Sequence, residues 1–347
     1  MLNFLKNYIS TLSFIIFLYI FYSTQKYYAG FFVGEYSFLF LDGFKVNIKE
    51  IFLIIIKLYF ILLIPFYAFF DGESKARIIL GFLYNKIIKR NKKNITQAEK
   101  TAILAWIVKG FFAPLMIFWL TGHIFELTNN LYKSYINFDL INQSFLSYFN
   151  QYFFYTAFSL ILFLDVLFFT LGYLIEGKIF KNEIISVEPT FFGWFVALAS
   201  YPPLNQTTNT ILGWYSTDFP QFSNFYIHII LNILILILMG IYSWASFSLG
   251  LKASNLTNRG IVKTGPYKYI RHPAYLCKNL SWWIGGLPII IFSISSGDFK
   301  TFFYAIIGLS FWSLIYYFRA KTEENHLSLD DDYIKYKKEV KGMFFPK

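Results

Sequence analysis

Arg271, His272 and Pro273 place a permanent cation, a titratable imidazole and a rigid turn at three consecutive positions. Guanidinium and imidazole both donate hydrogen bonds to oxygen, and the first keeps its charge at every physiological pH, so the group suits an anionic ligand. The surrounding segment, 260–278, carries Lys263, Lys268, Arg271 and Lys278 with no Asp or Glu. Gly265-Pro266 is a turn signal, and Pro273 biases His272 away from helical geometry, leaving backbone groups near 271–273 available to a ligand. Tyr267, Tyr269 and Tyr275 add flat amphipathic surfaces. A second group follows about fifty residues later: Arg319, Glu323, Glu324, His326 and Leu327, then Asp330-Asp331-Asp332, Tyr333, Tyr336 and Phe344-Phe345-Pro346-Lys347. On a helix, Arg319 and Glu323 are four apart and positioned to pair, while Glu324 points elsewhere. Taken singly, the first group also reads as a basic stop with interfacial aromatics, and the second as a solvated helix with ordinary ion pairs.

The elements that position these groups belong to a membrane. Of 347 residues, 56% are hydrophobic, 23% aromatic and only 15% charged, and the mean hydropathy is +0.48; this is the composition of an integral membrane protein. The net charge of +11 sits between apolar runs, where Lys and Arg set orientation and meet anionic headgroups, so the lipid bilayer is the expected partner and nucleic acid is not. The single cysteine, Cys277, excludes an internal disulfide and any multi-cysteine metal site.

Apolar runs near 12–33, 48–70, 102–126, 152–175 and 226–248 approach the length of a roughly 30 Å hydrocarbon core. The first continues past signal-peptide length with no small-residue cleavage pattern, so it reads as a span. Two shorter runs, 282–297 and 301–319, are separated by Gly297-Asp298-Phe299-Lys300 and read as a tight helical hairpin that returns the tail beside the basic loop. Segment 189–204 is short for a span and has a re-entrant alternative. Charge favours crossing. The segment 71–101 carries eight Lys/Arg and is expected in the cytoplasm, 128–150 carries only Lys133, Lys178 and Lys181 return inside, and 205–223 has no Lys or Arg. The expectation is an all-α polytopic protein of about eight transmembrane helices, seven if 189–204 is re-entrant, with both termini cytoplasmic and a C-terminal cytoplasmic cofactor pocket. Residues 1–225 would be a transmembrane scaffold and 226–347 the functional unit.

The run Gly265-Pro266-Tyr267 through Arg271-His272-Pro273-Ala274-Tyr275, followed across a hairpin by Glu323-Glu324, Leu327, Tyr333, Tyr336 and Pro346, resembles the isoprenylcysteine carboxyl methyltransferase and phospholipid methyltransferase superfamily. The resemblance covers roughly 230–347. It implies that the two groups enclose S-adenosyl-L-methionine at the cytoplasmic face and that a lipidic methyl acceptor enters from the membrane. Carried over residue by residue, it implies cofactor binding by Tyr267, Arg271, His272, Pro273, Tyr275, Glu323 and Glu324, with Arg271 and Glu324 as the catalytic pair and no metal. The chemistry agrees: Arg271 and His272 suit the cofactor's carboxylate, Glu323 or Glu324 its ammonium or ribose hydroxyls, and the tyrosines its adenine or sulfonium. Methyl transfer is an in-line displacement on an activated carbon, for which positioning and desolvation suffice. One departure is Cys277, where the superfamily commonly has Gly, the residue permitting closest backbone approach.

Other constellations are weaker. Glu323-x-x-His326 has the spacing of half a di-iron site without a second copy. His123 and His228 read as hydrogen-bonded interior residues, and Asp165, mid-span, as a group facing the bundle and paired with Lys109 or a hydroxyl. Two alternatives remain open: a sterol-type reductase with a nicotinamide cofactor, and a transporter or scaffold using Lys57, Lys109 and Asp165. Residues 187–203 are either an acceptor feature or an irregular span. Carboxylate and amine acceptors are not distinguished.

Overall fold

The structure, a computed structural model, describes residues 2–41, 43–70, 72–90 and 94–346. Asp71, Lys92 and Lys93 of the basic segment and the terminal Lys347 lie outside the described residues. The chain forms two compact units, Met1–Lys133 and Ser134–Lys347. Among the described residues seven helices are long and apolar enough to cross a bilayer, so the protein is an all-α polytopic membrane protein.

In the first unit, α1 (Leu2–Thr24) and α2 (Ile48–Ala68) run antiparallel. Asn7 fixes their pairing, donating from Nδ2 to the Gly72 carbonyl (2.9 Å) and accepting from the Ser74 amide (3.0 Å). A two-stranded hairpin of β1 (Glu35–Phe38) and β2 (Phe44–Asn47) joins them. After α3 (Lys75–Leu83), Thr96 and Glu99 form a reciprocal capping box (2.8 and 3.2 Å) that starts α4 (Gln97–Ile136). At 40 residues α4 spans about 60 Å, well beyond a bilayer core.

In the second unit, α5 (Phe154–Leu174) leads through β3 (Ser186–Val187) to α6 (Phe191–Leu198) and α7 (Leu204–Leu212). Then come α8 (Phe225–Leu249), β4 (Thr257–Asn258), α9 (Pro273–Ser296), α10 (Phe299–Leu327) and α11 (Asp331–Glu339). The expected hairpin is built by Gly297, which ends α9 at φ 73°, and by Asp298, whose carboxylate accepts from the Thr301 amide (3.1 Å) to start α10. Asp330 starts α11 in the same way, accepting from the Asp332 amide (2.9 Å).

The segment 189–204, on which the count of seven or eight depends, is not a long helix. The eight residues of α6 rise only about 12 Å before Tyr201-Pro202-Pro203 interrupts them. Yet the chain still travels from one end of the unit to the other. β3 pairs with β4 (Ser186 opposite Asn258, Val187 opposite Thr257) at the end bearing the Arg-His-Pro loop. Phe192 then meets Phe318 (5.5 Å between ring centres), and Ala199 packs with Trp312, Ile315 and Tyr316 halfway along α10. Next, the Thr217 amide donates to the Gly285 carbonyl of α9 (3.3 Å); a Cβ at Gly285 would run into the Thr217 carbonyl. Phe219 ends against Phe154 (4.4 Å), at the far end of α5. Among the described residues the seven long helices are continuous, and the path from β3 to Phe219 is broken.

Of the two interior histidines expected to be hydrogen-bonded, His123 is not bonded at Nδ1, which is buried and lies 3.6 Å from Glu126 Oε2, whereas His228 is. His228 Nε2 lies 2.8 Å from Asn150 Oδ1. Asp165 accepts from the Tyr242 hydroxyl (2.7 Å) and from Ser246, so its partners in this unit are hydroxyls on α8.

Candidate functional site

The Arg-His-Pro loop and the C-terminal tail are laced together at one end of the second unit. Arg271 Nε donates to Glu324 Oε1 (2.6 Å), and its terminal nitrogen donates to the Val340 and Lys341 carbonyls (2.7 Å each). The Arg271 and His272 amides donate to the Gly342 and Met343 carbonyls (3.0 Å each). Lys337 Nζ approaches Glu324 Oε2 (3.0 Å), His272 Nε2 lies 3.4 Å from Glu324 Oε1, and the Tyr336 hydroxyl donates to the Tyr267 carbonyl (2.7 Å). Burial, reinforced by nearby carboxylates, pushes the Tyr267 and Tyr333 hydroxyls well above their ordinary range and keeps them neutral.

Beside this lacing lies a cavity of about 120 Å³, open at its mouth. Glu323 and Glu324 are neighbours in sequence but about 100° apart around α10. Glu324 faces the lacing, and Glu323 faces the cavity. Glu323 Oε2 accepts from the Tyr275 hydroxyl (2.9 Å) and lies 3.9 Å from His272 Nδ1, while the His272 and Tyr275 rings stack at 5.4 Å. One turn before Glu323, Arg319 donates to Asn255 Oδ1 (3.0 Å), and its guanidinium lies over the rings of Tyr316, Tyr275 and Tyr201 (4.9, 5.2 and 5.8 Å). Lys278 of α9 sits 5.2 Å from the Tyr242 ring centre and 5.6 Å from that of Trp282, distances at which a desolvated cation is held by the ring face.

Asn255 ties three elements at this point. Its amide and side chain donate to the Tyr173 hydroxyl (2.7 and 3.0 Å), its side chain also donates to the Tyr201 hydroxyl (3.0 Å), and its oxygen receives Arg319. On the opposite wall, Glu188 and His326 also line the cavity.

Tyr267, His272, Tyr275 and Glu323 are thus brought to one cavity wall, as the sequence suggests. Arg271, Pro273 and Glu324 are not among the described residues that line it; the buried Arg271–Glu324 pair stands behind the wall and fixes it. Cys277 is buried and is not among the described residues that line the cavity either. Sequence reading gave Arg319 a pairing with Glu323, whereas Asn255 and three tyrosine rings hold it. It missed Asn255 and Lys278 as wall residues, offered Glu188 and Tyr201 only within the 187–203 acceptor alternative, and gave His326 no role. One signal was present: Tyr316, Arg319, Glu323 and His326 recur at steps of three and four, a polar stripe on an apolar helix.

No curated protein matches the chain. Residues 225–329, from the start of α8 through the Glu-Glu tail, match the family model of isoprenylcysteine carboxyl methyltransferase (ICMT), and it is to this family of membrane methyltransferases that the C-terminal part of the chain is similar.

Proposed function

We propose that the protein is an S-adenosyl-L-methionine-dependent integral membrane methyltransferase acting on a lipid or lipidated acceptor at the cytoplasmic face, with both termini in the cytoplasm. One observation carries this reading: a single cavity wall combines a carboxylate (Glu323), two cations (Arg319 and Lys278) and the rings of Tyr267, Tyr275 and Tyr316. The cofactor offers a carboxylate, an ammonium, a sulfonium and an adenine, so this donor set fits it. When bound, it supplies a methyl group on positively charged sulfur.

Glu323 is the residue for the cofactor's ammonium or ribose hydroxyls, with Tyr275 and His272 holding its carboxylate in place. Arg319 is the nearest unsaturated cation for a carboxylate, since the Arg271 side chain is already bound by Glu324 and two carbonyls. Arg271 and Glu324 act by positioning: they lock the loop to the tail and so set the His272, Tyr275 and Glu323 side of the cavity. The tyrosines would exclude water from the cavity, which a lipidic acceptor would enter from the bilayer. In this division of labour residues 226–347 supply most of the cavity wall, and Glu188 and Tyr201 from the segment before α8 complete it.

The test is direct binding of S-adenosylhomocysteine to the purified protein in detergent. Glu323→Gln removes the charge without changing size and is expected to weaken binding about ten- to a hundredfold; unchanged affinity in a folded variant would overturn the assignment of this wall.

A further inference from the structure

Lys278 lies in the second turn of α9, a helix long and apolar enough to cross the bilayer, and it lines the cavity. It is half-buried and, among the described residues, pairs with no carboxylate. Aromatic rings hold it instead: Nζ lies 5.2 Å from the centre of the Tyr242 ring, 5.6 Å from that of Trp282 and 5.9 Å from that of Tyr316. Such rings stabilise an ammonium in an apolar setting without consuming its hydrogen-bond donors. An ammonium has three donors, and the Tyr316 hydroxyl beside it accounts for one at most. Behind the Tyr242 ring, Asp165 accepts from the Tyr242 hydroxyl (2.7 Å) and from Ser246, so a negative charge backs the rings without occupying the ammonium. Depth separates Lys278 from Glu323. Tyr316, Arg319 and Glu323 follow one another at one-turn steps along α10, so Lys278, level with Tyr316, lies about 10 Å further into the span than Glu323. A ring-held cation that faces a cavity with donors to spare is a site for an anion.

We propose that Lys278, held by the Tyr242, Trp282 and Tyr316 rings, binds the carboxylate of the methyl acceptor and so selects an anionic head over an amine. This rests on the methyltransferase reading above, in which Glu323 and Arg319 serve the cofactor. An acceptor arriving from the bilayer meets the deeper cation, Lys278, while a cofactor arriving from the cytoplasm meets Glu323. One carboxylate oxygen pairs with Nζ, and the other forms the O–CH3 bond as the carbon–sulfur bond breaks, the electrons of that bond going to sulfur. The carboxylate and sulfonium charges cancel, which gives a neutral ester and a neutral thioether and leaves no proton to place. Lys278 stays charged throughout, so the transfer removes the anion it held and favours release of the ester. An ammonium head, by contrast, meets a like charge at Lys278 and is disfavoured there.

The experiment uses the full chain in phosphatidylcholine vesicles doped separately with N-acetyl-S-farnesylcysteine, oleic acid or oleylamine, and label is supplied from S-[methyl-14C]adenosylmethionine. Label is expected on a carboxylate, as a base-labile methyl ester, and not on the amine. Lys278→Gln and Lys278→Met should raise KM for that carboxylate about ten- to a hundredfold and lower kcat by less, with S-adenosylhomocysteine affinity within about twofold of wild type. Lys278→Arg should recover most of the loss. In the wild type, the bound carboxylate should shield Lys278 from reductive methylation by formaldehyde, read by peptide mass spectrometry, and oleyl alcohol should not; this readout needs neither turnover nor a folded variant. Label on the amine, label on neither carboxylate, an unchanged KM in the folded variants, or equal reactivity of Lys278 with and without the carboxylate would overturn the proposal. Failure of the wild type to bind S-adenosylhomocysteine would instead overturn the cofactor reading beneath it, and the two failures are separable because binding is measured on the same preparation.

Discussion

Arg271 Nε and Glu324 Oε1 lie 2.6 Å apart across 53 residues of sequence, with both side chains more than nine-tenths buried. A buried pair of this kind is weak evidence for net stability, but breaking one side of it is costly because the other charge is left without its partner. The pair therefore makes the loop and the tail one structural piece.

Arg271→Ala is expected to destabilise the second unit by about 3–5 kcal/mol, read as a marked fall in the thermal midpoint in detergent. Replacing both members by apolar residues, Arg271→Met with Glu324→Leu, should recover much of that loss. If Arg271→Ala lowered cofactor affinity with no change in melting, Arg271 would be a direct ligand rather than a brace.

Glu323→Gln gives the opposite pattern, because Glu323 faces the cavity. Thermal stability should change by less than about 1 kcal/mol, and S-adenosylhomocysteine affinity should drop. Adjacent glutamates thus separate by phenotype, and equal melting losses in Glu323→Gln and Glu324→Gln would contradict the two-faced reading of α10.

Asn255→Ala removes the acceptor of Arg319 and the side-chain donor to Tyr201 and Tyr173, while the backbone amide keeps its bond to Tyr173. Leaving buried partners unsatisfied costs about 1–3 kcal/mol each, so a clear melting loss is expected. Asn255→Asp keeps the oxygen facing Arg319 and should be milder. Equal stability of the alanine variant and wild type would show that the hub carries no weight.

The broken passage between 188 and 219 is tested by thiols placed in a Cys277→Ser background. An impermeant maleimide is expected to label Ser223→Cys in intact cells and Lys181→Cys only after permeabilisation. Labelling of both from one side would rule out a crossing between β3 and α8.

Much of the site was legible because its signals were local. Arg271-His272-Pro273 is contiguous, Gly297-Asp298 announces a hairpin, and the hairpin brings Glu323 and Glu324 back to the loop. Residues whose role depends on a distant partner were not legible. Arg319 has Glu323 four positions away, the expected helical partner, yet tertiary packing turned it to Asn255 and to rings from three separate stretches of chain. Lys278 looks like the end of a basic loop, and only the fold encloses it with Tyr242 and Trp282. Segment 189–204 was recognised as too short for a helical span, while the charge pattern still called for a crossing. A broken path satisfies both, and hydropathy has no term for it. Glu188 and His326, 138 residues apart, share no pattern that sequence alone would join.

The central claim is that this cavity is built for S-adenosyl-L-methionine. It is tested most directly by calorimetric titration of the purified full chain with S-adenosylhomocysteine and, separately, with NADPH. The account predicts saturable binding of the first, weakened about ten- to a hundredfold in Glu323→Gln, and none of the second; binding of NADPH with no binding of S-adenosylhomocysteine would contradict it.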